Sequence, residues 1–346
     1  MGVRDSIRWG IIGCGNVTEV KSGPAFRLAR GSRLVSVMRR NGALAEDYAR
    51  RHGVAKWTDR AEQVIHDPEV DAVYVATPPG SHMDYALQVC AAGKPCYVEK
   101  PMARNAAECR RMVDAFAAAG LPLFVAYYRR GLPRFLAAKE LIEGGRIGAV
   151  RSLDYVYRSR ARTDLDPARL PWRLVAEHSG GGLFLDLASH ALDIFDFMLG
   201  PIRDVSSEVR RRGAAYDVED YVSMHFRIGQ GAEGRALWDF GADAGEDRFV
   251  ISGDTGRIEM SVFGNEPLRL AGASGLTELG RPNPPHIQQP LVQTMVDELL
   301  GSGRCPSRGD TAIRASAVMD AALAPYYGAR HDAFWTRSAT WPGLRA

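Results

Sequence analysis

The stretch IRWGIIGCGNVTEV, residues 7–20, decides the fold. It opens with an apolar run typical of a buried strand and then reaches Gly13 and Gly15, the first two glycines of a GxGxxG pattern in which Thr18 replaces the third. Gly13 allows a tight turn, and Gly15 lets a phosphate approach the backbone. The stretch predicts a strand, a turn and a helix that bind a dinucleotide; the alternative is glycine needed for turn geometry alone. The expected contacts are Gly13, Gly15, Asn16 and Val17.

Strand and helix patterns alternate through the first part of the chain. Strands are expected at 7–12, 33–38, 72–76, 95–98 and 123–126. Alanine-rich helices are expected between them, at 43–52, 81–92 and 105–119. This alternation predicts an α/β domain with a Rossmann-like, doubly wound parallel sheet over residues 1–126.

A period of two replaces this alternation after residue 150. Strands are expected at 151–160, 220–228 and 234–240, with a hairpin over 248–260 around the turn GDTG. A loop is expected at 272–285, followed by helices at 290–300 and 310–326. The pattern predicts a second α+β domain, residues 127–346, built on an open, mainly antiparallel sheet. Its C-terminal helix, 310–326, can pack back toward the first domain.

Composition excludes several classes of protein. The 346 residues carry 44 basic and 41 acidic side chains without a long run of one sign, so we expect no nucleic-acid partner. The five cysteines form no CxxC pair, which argues against a disulfide framework and a thiolate zinc site. No apolar run is long enough for a signal peptide or a membrane span. A cytoplasmic protein without a membrane or metal partner is expected.

Two arginines follow the second predicted strand. Dinucleotide enzymes place an acidic residue there to bind the ribose of NAD, whereas arginine suits the 2′-phosphate of NADP. Arg39 and Arg40 can each donate paired hydrogen bonds to a phosphate. The pattern favours NADP, with NAD possible. The alternative is a solvated arginine pair in an arginine-rich chain.

Two further motifs carry side chains suited to proton transfer. Lys100, in VEKP, follows a predicted parallel strand and can donate to a substrate oxygen; otherwise it is a surface lysine. Asp186 and His190 lie four residues apart after three glycines, so they share one face of a helix. A histidine can take a hydroxyl proton, and a carboxylate can orient it. The alternatives are a carboxylate near a helix start and a core histidine.

Four motifs together resemble the Gfo/Idh/MocA oxidoreductases. They are GCGNVTE at 13–19, ATPPGSH at 76–82, VEKP at 98–101 and GGGLFLDLASHALD at 180–193. The resemblance implies a nicotinamide held by the Rossmann domain and a substrate pocket in the sheet domain. It also implies that Lys100 and His190 handle the hydroxyl proton while hydride is transferred, with assistance from Asp186.

The resemblance extends to residues around these motifs. Those expected near the cofactor are Thr77, Pro78, His82, Glu99, Lys100, Trp172 and Arg173. Those expected near the substrate are Tyr127, Arg129, Lys100 and His190. In this family the outer sheet often mediates dimers or tetramers, and the mixed character of its outward positions predicts that this face meets a second subunit. A homodimer or homotetramer is therefore expected.

The function expected from the sequence is an NADP(H)-dependent oxidoreductase. It would act on a small polyhydroxylated substrate such as a sugar, an inositol or a cyclic diol. One alternative is a glycosidase of the same fold that retains NAD and shows no net turnover of added nucleotide. Another is a nucleotide-sensing regulator without catalysis, which the joint presence of Lys100, Asp186 and His190 disfavours.

Overall fold

A computed structural model describes residues 5–162 and 164–345. These residues form two compact units. The first contains the described residues up to Ala103, with Glu108–Leu132 and Pro284–Ile313; the second contains Arg104–Ala107, Pro133–Asn283 and the described residues from Arg314 onward. The first unit thus includes a segment that comes after the second sheet in the chain. The boundary predicted after residue 126 had placed that segment in the second domain.

The first unit is built on six parallel strands. They are β1 Ile7–Ile12, β2 Ser32–Met38, β3 Lys56–Thr58, β4 Ala72–Val75, β5 Cys96–Val98 and β6 Leu123–Val125. Their order in the sheet is β3-β2-β1-β4-β5-β6, the order of a Rossmann fold, so the predicted doubly wound sheet is confirmed. The chain order reverses between β1 and β4, and ligands of such sheets bind beyond the carboxyl ends of the strands there.

Helices connect these strands. They are α1 Asn16–Val20, α2 Gly23–Leu28, α3 Gly42–His52, α4 Ala61–Ile65, α5 His82–Ala91 and α6 Ala106–Ala118. The sheet core is aromatic: the ring of Phe26 packs 4.9 Å from that of Trp9 and 5.4 Å from that of Tyr74, all fully buried. This packing fixes the strands whose ends carry the candidate site.

The second unit is built on eight strands. They are β7 Val150–Arg160, β8 Ile202–Arg210, β9 Tyr221–Ile228, β10 Ala232–Ala242, β11 Glu246–Gly253, β12 Gly256–Met260, β13 Leu268–Gly272 and β14 Gly275–Leu279. Their order is β14-β13-β12-β11-β7-β10-β9-β8, with β7 and β10 parallel and the other pairs antiparallel. The expected open, mainly antiparallel sheet is confirmed.

The remaining helices follow β6. They are α7 Pro133–Glu143, α8 Ala176–Ser179, α9 Leu183–Leu199, α10 Gln289–Leu299, α11 Gly309–Tyr327 and α12 Pro342–Arg345. Short 3-10 turns occur at Pro79–Ser81, Tyr128–Gly131, Pro167–Arg169, Trp172–Leu174 and Phe334–Thr340. Helix α9 carries the DxxxH motif, as its spacing predicts.

The prediction of a loop over 272–285 was wrong in part. Strand β14 occupies Gly275–Leu279 and pairs with β13 in a hairpin at the edge of the sheet. Gly275 has a φ of +94°, which glycine accommodates in the turn. Because Leu276 is 64% exposed and its strand has no buried face, no alternation of apolar and polar residues marks it.

Candidate active site

The loop after β1 requires glycine at position 13. Gly13 has a φ of +92°, and a Cβ there would lie 2.8 Å from Thr77 Cγ2. The N–H groups of Gly13 and Cys14 donate to the Met38 carbonyl at 2.9 and 3.0 Å, which ties the loop to β2. Around Gly15, by contrast, the nearest atom of the described residues to a Cβ would be the Gly13 oxygen, at 3.8 Å. The loop is fixed at one end and open at Gly15, as a phosphate-binding backbone must be.

Thr18 closes the first turn in place of the third glycine. The Gly15 N–H donates to Thr18 Oγ1 at 3.0 Å, and that hydroxyl donates back to the Gly15 carbonyl at 2.8 Å. Tyr48 in turn donates to the Thr18 carbonyl at 2.9 Å. Asn16 is exposed and Val17 is half-buried at the start of α1. Although Thr18 replaces the third glycine of GxGxxG, hydrogen bonds therefore fix the turn.

Arg39 and Arg40 follow β2, half-buried and exposed respectively. Within the part of the chain that the structure describes, their side chains make no hydrogen bond or ion pair. Arg51 differs, since it pairs with Glu19 at 2.7 Å. Burial raises the pKa of Cys14 to about 11, and the charge of Arg39 acts against that rise. Arg39 therefore lies near the glycine loop.

The loop after β4 is clasped by a buried histidine. His82 Nε2 lies 2.6 Å from the Thr77 carbonyl, and Nδ1 lies 3.1 Å from the Pro101 carbonyl. Burial lowers the pKa of His82. Its ring thus joins the loops that follow β4 and β5. The predicted cofactor contacts of Thr77, Pro78 and His82 stay predictions.

A buried network fixes the strand end that carries VEKP. The Glu99 carboxylate accepts from Tyr74 Oη at 2.5 Å and from Gln288 Nε2 at 2.8 Å through the same oxygen. Its other oxygen accepts from the Lys100 N–H at 3.1 Å. Tyr97 donates to Gln288 Oε1 at 2.8 Å. Glu99 therefore holds the Lys100 backbone, and Gln288 is a supporting residue that the sequence did not predict.

Cationic side chains gather at the ends of β5 and β6. Lys100 is half-buried after β5 and precedes a cis peptide bond to Pro101. The Arg129 guanidinium lies 5.0 Å from the centre of the buried Tyr128 ring. Burial alone would raise the pKa of Tyr128, but the charges of Arg129, Lys21 and Lys100 together lower it. The neighbouring Tyr127 is fully buried.

The second unit carries the other predicted group. Asp186 lies in the first turn of α9, and His190 follows one turn later, 3% exposed. Arg173 Nε donates to Asp186 Oδ2 at 2.8 Å, and its guanidinium lies 4.3 Å from the centre of the Trp172 ring. The predicted pair Trp172 and Arg173 therefore includes a direct partner of Asp186. Joint action of His190 and Asp186 with Lys100 of the first unit stays a prediction.

Metal-ligand clusters and membrane-spanning helices are both absent among residues 5–162 and 164–345. No group of three or more His, Cys, Asp or Glu residues there could hold a metal ion. In the same ranges no helix has the length and apolar character needed to cross a membrane.

A glycine-loop Rossmann sheet, together with an antiparallel sheet unit whose helix bears DxxxH, defines a class of nicotinamide-dependent oxidoreductases. The model of the oxidoreductase family with an NAD-binding Rossmann fold matches residues 7–127, and that of the GFO/IDH/MocA C-terminal domain matches 135–259. The chain belongs to the Gfo/Idh/MocA family, as its motifs predict. It is an enzyme of the dehydrogenase and reductase class.

Relatives cover nearly the full chain. Oxidoreductase P35 of Formosa agariphila is 37% identical over 91% of this chain and 97% of its own. The 1,5-anhydro-D-fructose reductase of Ensifer adhaerens is 29% identical over 90% of this chain and 93% of its own. The structure of levoglucosan dehydrogenase with NADH and L-sorbose has a TM-score of 0.82 at 23% identity, over 92% of this chain and 96% of that one. The last likeness shows the shared fold.

Proposed function

We propose that this oxidoreductase uses NADP(H) and acts on a carbon-bound hydroxyl or carbonyl of a sugar, an inositol or a cyclic diol. The observation that carries the proposal is the charge at the carboxyl edge of the parallel sheet. Lys100 follows β5 and Arg129 follows β6, while the Gly13 loop follows β1. Ligands of doubly wound sheets bind at this edge. A polyhydroxylated substrate offers several oxygens to such donors.

The fit of the first unit to a dinucleotide rests on its glycine loop. A side chain at Gly13 would collide with Thr77, while Gly15 is open on the side where a phosphate would approach. Arg39 and Arg40 would hold a 2′-phosphate, because both follow β2 and, among the residues that the structure describes, neither guanidinium pairs with an acidic side chain. When bound, the nicotinamide supplies or accepts the hydride.

The chain's own residues must handle the proton that accompanies hydride transfer. Oxidation of a hydroxyl to a carbonyl releases one hydride and one proton, so a base must face that hydroxyl. In the proposed reaction His190 takes the proton and Lys100 donates a hydrogen bond to the same oxygen. In the same reaction Asp186, held by Arg173, would orient His190 from one helical turn away.

The names of relatives support the substrate class. They include a levoglucosan dehydrogenase, whose match covers 68% of this chain, and a scyllo-inositol 2-dehydrogenase, whose match covers 78%. Trans-1,2-dihydrobenzene-1,2-diol dehydrogenase is another relative, 30% identical over 66% of this chain. All three names describe cyclic compounds with hydroxyl groups. The same class is therefore proposed for this enzyme.

A spectrophotometric screen of sugars, inositols and cyclic diols, run in parallel with NADP and NAD, tests the proposal. Net reduction of NADP with at least one compound is the expected result. Copurified NAD with cleavage of a glycosidic bond and no net turnover would instead identify a glycosidase. Cofactor binding without turnover of any compound would favour a nucleotide sensor and would overturn the proposal.

A further inference from the structure

The glycines before α9 pack against a buried carboxylate. The Gly182 N–H lies 2.9 Å from each carboxylate oxygen of Glu219 and donates to both. A Cβ on Gly182 would lie 2.1 Å from the Glu219 carbonyl oxygen, and one on Gly181 would lie 3.3 Å from Glu219 Oε2. Gly182 has an ordinary φ of −87°, so lack of space excludes a side chain there. Contact with Glu219 thus explains Gly182, and Glu219 limits the space at Gly181 together with Leu185 Cδ2, which would lie 2.9 Å from a Cβ there.

Glu219 is enclosed on every side. It is fully buried, and Tyr327 Oη donates to its Oε2. Burial raises the pKa of Glu219 to about 7, against the Tyr327 and Gly182 hydrogen bonds and the charge of Arg330. Arg330 itself pairs with Asp320 at 2.8 Å. The charge of Glu219 also acts on Tyr326 and Tyr216.

The contact between Gly182 and Glu219 lies at the start of α9, the helix that carries Asp186 and His190. Gly182 is the N-cap of α9, and Asp186 and His190 follow within its first turns. A carboxylate at this end is favoured by the helix dipole. The next residue, Asp220, accepts from the Arg212 and Gly213 N–H groups at 2.9 and 2.8 Å, so the segment bearing Glu219 is firmly held. A shift at Gly182 would therefore displace α9 relative to a fixed anchor.

The two protonation states of Glu219 differ in what they can accept. The carboxylate accepts from Gly182 with both oxygens and from Tyr327 at the same time. The neutral acid carries a hydroxyl that donates. Either Tyr327 must turn its own hydroxyl to accept, or Gly182 loses one of its two acceptors.

We propose that Glu219 is a positioning residue: its carboxylate holds Gly182, and through α9 it sets the positions of Asp186 and His190, while its protonation loosens that hold. The catalytic role of Asp186 and His190 in this inference rests on the proposed function. The hydrogen bonds and the protonation of Glu219 do not depend on that function. Glu219 acts on the reaction only through the helix.

The variant Glu219→Gln tests the proposal, because it keeps the shape and one acceptor but cannot ionise. In the wild type we expect kcat/KM to fall as the pH drops below about 7, and in Glu219→Gln this component should be absent. Glu219→Asp cannot reach Gly182 and should lower kcat by roughly tenfold to a hundredfold, the scale of a small misplacement of reacting groups. Glu208→Gln, at an exposed position of β8, is the matched control.

A readout without substrate separates this inference from the proposed function. The infrared difference between wild type and Glu219→Gln should contain the carbonyl stretch of a protonated carboxyl group, which disappears as the pH rises through about 7. Absence of that band, or an unchanged activity step in Glu219→Gln, would overturn the proposal. If Glu219→Gln fails to fold, Tyr327→Phe serves, because losing this donor should raise the pKa of Glu219 and move the step to higher pH. A step that stays in place would contradict the positioning role.

Discussion

Gln288 Nε2 donates to Glu99 Oε1 at 2.8 Å, although the two residues are 189 positions apart in the chain. Gln288 immediately precedes α10, in the segment that returns to the first unit after the second sheet. Its main-chain N–H also donates to the Lys21 carbonyl at 3.3 Å. Because Glu99 in turn accepts from the Lys100 N–H, this returning segment helps to fix the backbone that presents the lysine.

Replacing Gln288 by leucine should destabilise the first unit. The change removes a donor to the buried Glu99 and leaves the Tyr97 hydroxyl without its acceptor. We expect the free energy of unfolding to fall by about 1–3 kcal/mol, the usual cost of an unsatisfied buried polar group. Urea denaturation of the wild type and the variant measures this change in the free energy of unfolding. Gln293→Leu, within α10, is the control, since Gln293 bonds at the surface with Arg30. Equal losses in both variants would contradict the role of Gln288.

Lys100→Met and His190→Asn should each cut turnover by roughly a hundredfold or more, the scale expected on losing a general acid or base. Cofactor affinity, measured by fluorescence titration, should survive both changes. Lys56→Met is the control, because Lys56 forms ion pairs with Asp67 and Glu69 at the surface. Near-normal turnover in either active-site variant would rule out its place in the proton transfer.

Arg39→Asp should raise the KM for NADP far more than the KM for NAD. The substituted carboxylate would repel a 2′-phosphate and could accept from a ribose hydroxyl instead. Steady-state kinetics with both nucleotides measure the ratio. Arg33→Asp makes the same charge change in an exposed position at the other end of β2. An unchanged preference in Arg39→Asp would remove Arg39 from cofactor selection.

The sequence predicted the strands of the first sheet that carry an apolar run. Apolar runs locate both ends of β1, β2, β4, β5 and β6 to within one residue. Strand β3 was missed because it has three residues, two of them exposed, and no apolar run marks it. Strand β14 was missed for the same physical reason: it lies at the edge and buries no face.

The candidate site shows the same limit. Lys100, Asp186 and His190 stand in short motifs whose spacing suggests their chemistry. Gln288 and Glu219 stand in no such motif, and their partners lie 189 and 37 positions away. Only the three-glycine run pointed to a close contact before α9. The identity of the contacting group required the fold.

The outer face of the second sheet should pair with a second copy of the chain. Val156 and Leu237 are neighbours in register on that face and are only partly exposed, amid ion pairs such as Arg158–Glu246 and Arg248–Glu259. An apolar centre with a charged rim is typical of a subunit interface. Light scattering should give the mass of a dimer or tetramer for the wild type and a smaller mass for Leu237→Glu. Leu44→Glu, an exposed leucine of α3, controls for added charge; a monomeric wild type would contradict the prediction.

Glu219 should make stability depend on pH in a definite direction. Its pKa in the folded protein is raised from 4.5 to about 7 by burial, so the folded chain binds this proton more tightly than the unfolded chain does. The stabilisation is complete below the unfolded pKa and is lost as the pH rises through about 7.

Glutamine at this position does not titrate. The free energy of unfolding of Glu219→Gln relative to the wild type should therefore rise by on the order of 2 to 3 kcal/mol between about pH 5 and about pH 8. Urea denaturation of both proteins across this range measures the difference, with Glu208→Gln as the control for pH effects elsewhere. A difference that stays constant with pH would show that Glu219 keeps an ordinary pKa, and one that falls as the pH rises would show that its carboxylate is the form the fold prefers.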